Sequence, residues 1–286
     1  MKMKRNMSLA VRASVVAASV ACLASTTQAA ITYSDDFSTN TLPTYSLQGG
    51  SLVAYSPTAG VGGGGGLVIG QGSNDSTSLI PGNPTNTAYT VEAGASVTIT
   101  MMLKLNDAGF GPGGSKAFMG LATGPNTSWG QNAPPNSTYF GGVAESAVNL
   151  GTRAAVNGGA APNSNTGAAG SGALTGGNWY LFSATLDKPT SGTTWTSNGF
   201  LQDYGADGQT AGSVVRTWSQ SRDLTGDSYL SVAETPTYLN FGVRNQSWSA
   251  IDNFNVTTAL VAVPEPGTLG LVAAGSLLAL RRRRLA

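Results

Sequence analysis

The sequence contains no histidine and a single cysteine, Cys22. Without histidine the chain lacks the commonest general base and the commonest zinc ligand, so a Ser-His-Asp triad is excluded. Ser-Lys pairs stay open as a catalytic alternative, but they have no recognisable motif. A lone cysteine has no partner for an intramolecular disulfide. Stability must therefore come from packing, hydrogen bonds and, in one interpretation, metal ions.

Charged residues are also scarce, at 10% of the sequence. Between Ile31 and Val263 there are 7 Lys and Arg against 13 Asp and Glu, a balance of −6, because most of the basic residues lie in the two terminal segments. A body of this sign has no electrostatic footprint for nucleic acid. Neutral polymers, cations or basic surfaces are the favoured partners.

Long amphipathic helices are not visible, and apolar residues alternate with polar ones instead. The alternating positions are Val97, Ile99, Met101, Leu103 and Leu105, then Tyr180, Phe182, Ala184 and Leu186, then Leu239, Phe241 and Val243, with Phe254 and Val256 in a short final strand. A period of two predicts strands with one buried face. Because Gly-rich and Pro-rich turns separate these segments and no helical interval does, residues 30–260 are predicted to form one all-β, antiparallel two-sheet sandwich.

Residues 1–29 have the three parts of a secretory signal peptide. Basic residues occupy 1–12, an apolar run follows at 15–23, and Thr27-Gln28-Ala29 supplies the small residues before a cleavage site. This order predicts a signal helix, export through the Sec translocon and cleavage by signal peptidase after Ala29. A membrane anchor that stays is disfavoured because the apolar run is short, and a lipoprotein acylated at Cys22 is the other alternative.

Residues 261–286 form a second three-part segment. The motif Val263, Pro264, Glu265, Pro266 is followed by an apolar stretch at 268–280 and by four arginines, Arg281, Arg282, Arg283 and Arg284. The prolines prevent a helix from continuing into the body. The apolar stretch is predicted to enter the inner membrane as a short transmembrane helix, with the arginines held on the cytoplasmic side.

This order resembles the PEP-CTERM sorting signal of Gram-negative bacteria. The resemblance implies processing near the Pro-Glu-Pro motif by an exosortase-type membrane enzyme, after transient anchoring in the inner membrane. It also implies delivery to the cell surface or the extracellular matrix of a biofilm. The alternative is a simple tail anchor that is never cut.

Three short segments of the body resemble concanavalin A-like and laminin-G-like jelly rolls. They are Tyr-Ser-Asp-Asp-Phe at 33–37, Asn-Trp-Tyr-Leu-Phe at 178–182 and Ala-Ile-Asp-Asn-Phe-Asn-Val at 250–256. The resemblance implies a sandwich whose first and last strands lie side by side. It also implies carbohydrate binding as the most common role of such modules.

Three acidic residues, Asp35, Asp36 and Asp252, would meet if the terminal strands pair. Clustered carboxylates and backbone carbonyls suit calcium, so these residues are candidate ligands for a structural Ca²⁺, with turn-capping by solvated acids as the alternative. Residues 223–234 match the spacing of an EF-hand loop in part. Ser228 stands where glycine is usual and Pro236 follows closely, which favours a polar turn.

Two tryptophans, Trp129 and Trp195, lie in polar, loop-like sequence. Tryptophan at a protein surface offers a flat apolar face, so both are candidates for stacking against sugar rings. Burial in the core is the alternative for each of them.

A strand with paired carboxylates, as a retaining glycosidase needs, is absent from the sequence. We therefore predict a noncatalytic exported cell-surface or extracellular-matrix protein that binds or organises exopolysaccharide. One alternative is a secreted polysaccharide-active enzyme with dispersed catalytic acids. The other is a structural coat protein with no glycan ligand.

Overall fold

The computed structural model describes residues 32–49, 53–70, 76–81, 88–107, 116–122, 139–145, 150–155, 163–164, 174–223, 236–244 and 248–260. These residues belong to one compact unit, Ala30–Val261. Within the described ranges the chain forms two short 3₁₀ helices, Leu42–Thr44 and Val61–Gly63, and sixteen strands. The strands are β1 (Thr32–Asp35), β2 (Tyr45–Gly49), β3 (Val53–Ser56), β4 (Gly66–Ile69), β5 (Ser76–Pro81), β6 (Ala88–Thr90), β7 (Ala95–Leu105), β8 (Lys116–Ala122), β9 (Tyr139–Glu145), β10 (Leu150–Ala155), β11 (Asn163–Ser164), β12 (Trp179–Asp187), β13 (Thr194–Asp203), β14 (Val214–Asp223), β15 (Pro236–Arg244) and β16 (Trp248–Leu260).

The strands form two sheets, and every described pairing is antiparallel. Sheet I has the order β14-β13-β12-β7-β16-β4-β3, and β1 also pairs with β16. Sheet II has the order β11-β10-β9-β8-β15-β5-β2, and β6 also pairs with β15. The predicted all-β, antiparallel two-sheet sandwich is confirmed.

The core lies between the sheets and is built from the alternating positions that the sequence shows. All five alternating positions of β7, from Val97 to Leu105, are at most 2% exposed. The inward positions of β12 and β15 are equally buried. Phe241 of sheet II stacks on Phe254 of sheet I, with ring centroids 3.9 Å apart. Burial of this apolar surface is the main force that holds the two sheets together.

The final strand is longer than the sequence predicts. β16 runs over 13 residues, from Trp248 to Leu260, so the prediction of a short strand around Phe254 is wrong. The register with β7 shifts between Asp252 and Asn255, and Asn253 has a φ of 49°. A β-bulge adds a residue without ending the pairing. The alternation is therefore interrupted in the sequence although the strand continues.

The described residues include no helix that is long and apolar enough to cross a membrane. The predicted signal helix within 1–29 and the predicted transmembrane helix within 261–286 lie outside the described residues.

Candidate functional site

The first and last strands of the body lie side by side. β1 pairs with β16 so that Tyr33 is opposite Val256 and Asp35 is opposite Phe254. The prediction that the terminal strands are neighbours is confirmed. We call this strand pair, together with the turn that follows β1, the seam.

Asp35 is a buried structural residue of the seam. Its Oδ1 accepts a hydrogen bond from the backbone N–H of Phe37 at 2.8 Å, and its Oδ2 accepts one from the hydroxyl of Tyr45 at 2.7 Å. The Tyr33 hydroxyl in turn donates to the Tyr45 oxygen at 2.7 Å. Burial raises the pKa of Tyr45 far above its ordinary value, and its bond to Tyr33 adds to the shift. Both oxygens of Asp35 are thus engaged in holding the turn after β1.

Asp252 is also buried, at 3% exposure, on the bulge of β16. The backbone N–H of Val61 donates to its Oδ2, and the backbone N–H of Asn253 donates to its Oδ1, both at 2.7 Å. Burial raises the pKa of Asp252 to about 6, although the two N–H donors oppose that shift. The charges of Asp35 and Asp36 add smaller increases to this pKa. Asp252 therefore carries a proton at a pH at which an exposed aspartate is ionised.

We expect Asp252 to lower the stability of the fold as the pH rises from 3.8, its ordinary pKa, to about 6. In this window the unfolded chain has released the proton and the folded chain retains it, so the free energy of unfolding falls. The expected loss is at most about 3 kcal/mol. This loss is measured by urea unfolding of the wild type and of Asp252→Asn at several pH values in this window, with a chelator present. A difference between the two proteins that does not change with pH would contradict the prediction.

Asp36 is the exposed acid of the seam. Its Oδ1 accepts a hydrogen bond from the backbone N–H of Ser38 at 3.0 Å, and this bond lowers its pKa. Among the described residues no three side chains of Asp, Glu, His or Cys form a group with metal-binding geometry. The predicted ligands Asp35, Asp36 and Asp252 share the seam but do not close into a cage of three carboxylates.

An open polar cavity of about 430 Å³ lies along the seam. We call it the seam pocket. Its lining residues are Tyr33, Ser34, Asp35, Asp36, Thr41, Thr44, Asn253 and Asn255. The side-chain amide of Asn255 donates to the backbone carbonyl of Asn253 at 3.0 Å, which fixes its orientation beside the pocket. The pocket therefore combines a solvent-facing carboxylate, two amides and several hydroxyls, while the Tyr33 ring packs against Tyr45 and Phe254.

A comparison with family models matches residues 262–284 to the PEP-CTERM protein-sorting motif. The chain carries a PEP-CTERM sorting signal. The predicted presence of this signal is confirmed, and the predicted sorting residues, Val263 to Pro266 and Arg281 to Arg284, fall within the match. Such a signal marks an exported protein that is anchored in the membrane and then processed by an exosortase-type enzyme.

Among solved structures, the body of this PEP-CTERM protein is similar to plant lectins and to a lyase. Peanut lectin with a nine-residue peptide shares 12% identity at a TM-score of 0.45, over 82% of this chain and 100% of that one. Lectin UEA-II complexed with galactose shares 12% identity at a TM-score of 0.48, over 80% of this chain and 99% of that one. Alginate lyase vAL-1 from Chlorella virus shares 9% identity at a TM-score of 0.45, over 76% of this chain and 93% of that one. No curated protein matches the chain.

The two tryptophan predictions for the PEP-CTERM protein have different outcomes. Trp195 is 1% exposed, so the prediction that it is a surface platform for sugars is wrong. Its ring packs edge-on against Phe140 at 5.6 Å, and the ammonium of Lys188 lies 5.7 Å from the ring centroid. Trp195 faces inward because it alternates with Thr194 and Thr196 on β13. Trp129 lies outside the described residues.

The EF-hand-like segment 223–234 is described only at its first residue. Asp223 ends β14, and its Oδ1 accepts a hydrogen bond from the Thr193 hydroxyl at 2.6 Å. The calcium-loop interpretation of residues 224–234 falls on positions that the structure does not describe.

Sequence reasoning missed the polar residues that complete the seam pocket. Asn253 and Asn255 belong to the segment that suggested the jelly-roll resemblance, yet only the bulge and the pairing with β1 turn them toward Tyr33 and Asp36. Thr41 and Thr44 come from the turn after β1. The available signal was the density of Asn and Asp at both ends of the body.

Proposed function

We propose that this exported protein is a noncatalytic surface or matrix protein that binds exopolysaccharide in the seam pocket. The observation that carries the proposal is the set of polar groups around that one cavity: the Asp36 carboxylate, the Asn253 and Asn255 amides and the hydroxyls of Thr41 and Thr44. Carboxylate, amide and hydroxyl groups hydrogen-bond to neighbouring sugar hydroxyls. A few convergent polar groups in an open cavity are typical of a binding site.

The charge of the body favours a neutral polysaccharide. The balance between Ile31 and Val263 is −6, from 7 basic and 13 acidic residues, and the seam pocket itself contains Asp35 and Asp36. An anionic polymer would bring like charges together at the pocket, which costs free energy. A neutral polymer has only hydroxyl groups to satisfy.

The roles of the two pocket acids support binding rather than hydrolysis. Both oxygens of Asp35 are engaged in intramolecular hydrogen bonds, which leaves Asp36 as the solvent-facing carboxylate among the lining residues that the structure describes. Hydrolysis by the usual mechanism needs two carboxyl groups, an acid and a base or nucleophile. The proposed location is the cell surface or extracellular matrix of a Gram-negative-type bacterium, after signal peptidase and the exosortase-type enzyme have acted.

The binding proposal predicts that Asp36→Asn weakens polysaccharide binding roughly tenfold, because a charge-assisted hydrogen bond contributes about 1.5 kcal/mol. The matched control is Asp207→Asn. Asp207 is another exposed aspartate whose Oδ1 accepts a bond from the backbone N–H two residues on, at 3.0 Å. Affinity electrophoresis of the full-length protein in gels that contain neutral glucans, mannans or galactans measures the effect.

The other outcomes of this experiment separate the alternatives. Equal affinity of wild type and Asp36→Asn would remove the seam pocket as the site. Release of reducing ends from any of these polymers would favour the polysaccharide-active enzyme. Absence of binding across the panel would favour the coat protein with no glycan ligand.

Calcium belongs to the proposal as a structural ion near Asp252. A Cβ added at Gly60 would contact the carbonyl oxygen of Gly65 and lie 2.7 Å from Oδ2 of Asp252, and one added at Gly65 would contact the carbonyl oxygen of Phe37. One carboxylate and backbone carbonyls are ligands that calcium accepts. A bound cation favours the ionised carboxylate, so the pH-dependent loss of stability at Asp252 should disappear when calcium replaces the chelator. If the free energy of unfolding depends on pH in the same way with calcium and with chelator, the proposed structural calcium is contradicted.

A further inference from the structure

Sheet I turns a face of hydroxyl and amide side chains away from the core. Alternate residues of its strands point outward in three neighbouring rows, and the registers align them across the sheet. The middle row is Ser219, Asn198, Thr185, Thr98 and Thr257. Neighbouring strands are about 4.8 Å apart, so this row is roughly 19 Å long. We call the three rows the hydroxyl-amide face.

Hydrogen bonds within the face fix its side chains. The carboxylate of Asp187 accepts bonds from the Ser96 hydroxyl, the Thr196 hydroxyl and the Asn198 amide. The Thr98 and Thr185 hydroxyls are 3.0 Å apart. The Ser219 hydroxyl donates to Oδ1 of Asn198 at 2.6 Å. A partner that binds here meets ordered groups, so little side-chain entropy is lost on binding.

Phe200 provides an aromatic group within this polar face. It lies in the row next to the middle one, between Ser183 on β12 and Thr217 on β14. Its side chain is half-buried and does not belong to the buried core between the sheets. An aromatic ring surrounded by hydroxyls matches the alternation of C–H and O–H groups on a sugar.

The face is continuous with the seam pocket. The row that contains Phe200 crosses β7 at Thr100 and ends on β16 at Asn255, which also lines the pocket. Asp187 is the one charged side chain among the described residues of the three rows, and its carboxylate is already engaged by three donors. The track that leads away from the pocket is therefore polar and almost uncharged.

We infer that the hydroxyl-amide face is an extended subsite on which a neutral polysaccharide chain lies after one of its sugars has entered the seam pocket. The inference rests on the proposed function of the pocket and adds the class of ligand: a long, uncharged chain rather than a terminal sugar. Successive sugars along the face act as linked contacts, so the affinity grows with chain length until the chain spans the sheet.

The experiment compares short and long oligomers of neutral glucans, mannans and galactans, with the full-length protein in mild detergent and calorimetry as the readout. We expect the affinity to rise from disaccharide to long oligomer. Phe200→Ala should weaken binding of the long oligomer roughly tenfold and leave the disaccharide unaffected. Thr217→Glu, at an exposed position of the same row, should do the same with little effect on folding. Leu47→Ala, at a 41% exposed residue of sheet II, is the control.

The outcomes distinguish this inference from the proposed function. Equal affinity for short and long oligomers, or an unchanged long-oligomer affinity in both face variants, would overturn the extended subsite and leave the pocket intact. Loss of disaccharide binding in Phe200→Ala would also overturn it, because the effect would then reach the pocket. A protein that binds no oligomer of any length would remove the pocket and the face together.

Discussion

Replacing Phe241 with alanine is expected to lower the free energy of unfolding by about 4 kcal/mol, close to the whole stability of many domains. Phe241 is fully buried on β15 of sheet II. Its ring stacks on Phe254 of sheet I and meets Tyr45 edge-on with a centroid distance of 5.7 Å. Removing it leaves a cavity between the sheets, where neither sheet can collapse without disturbing its own hydrogen bonds.

Denaturant unfolding of the full-length protein measures this loss as a shift of the midpoint. Leu47→Ala is the control, because Leu47 lies on β2 and is 41% exposed; its expected cost is about 0.5 kcal/mol. Phe241→Leu should fall between the two because it keeps part of the volume. Similar midpoints for Phe241→Ala and Leu47→Ala would show that the stacked pair does not hold the sheets together.

Protein recovered from producing cells is expected to have lost residues at both ends. The N-terminus should begin at Ala30, after cleavage behind Ala29, and the C-terminus should lie near Pro264-Glu265-Pro266, without the four arginines. The sorting match at 262–284 supports the second cut. The double variant Pro264→Ala, Pro266→Ala should keep its intact C-terminus and accumulate in the membrane fraction, because the recognition motif is gone and the apolar segment stays attached.

Mass spectrometry of the intact protein from fractionated cells identifies both termini and so tests this prediction. Pro57→Ala is the matched control, since Pro57 is an exposed proline in the body; its product should have the wild-type termini and differ in mass only by the substitution itself. A surface-exposed wild-type protein that still ends at Ala286 would favour the uncut tail anchor. A product whose first residue is a modified Cys22 would favour the lipoprotein.

The sandwich was predictable because its signal repeats along each strand. Burial of Val97, Ile99 and Met101 on one face follows from the period of two, and any strand with this pattern buries the same face whatever its neighbours are. The sorting tail was predictable for a related reason. Its prolines, apolar stretch and arginines lie in consecutive positions, so no tertiary information is needed to identify them.

Trp195 shows where the same reasoning fails. Its neighbours Thr194 and Thr196 are polar, and the sequence therefore suggested an exposed loop. In a strand adjacent residues point to opposite faces, so the polarity of the neighbours describes the outer face and gives no information on the tryptophan between them. The alternation of faces along β13, and not the polarity of the adjacent residues, determined the burial of Trp195.

The seam pocket could not be predicted from the sequence, for a different reason. Tyr33 and Asn255 are separated by more than 200 positions in the sequence, and they line one cavity only because β1 pairs with β16 in one register. The bulge at Asn253 then decides which side chains face the cavity. Neither a strand register nor a bulge produces a periodic pattern in the sequence. The acidic residues of the seam could therefore be predicted, but the asparagines that line the pocket with them could not.

The position of β16 also determines how the body would resist a pull from its own tail. Tension applied beyond Leu260 enters the fold through a strand that is bonded along most of its length to β7 on one side and to β1 and β4 on the other. A force along the axis of this strand must shear the ladders on both of its edges. A pull from a tail that is held in the membrane therefore loads a strand that is hydrogen-bonded on both edges.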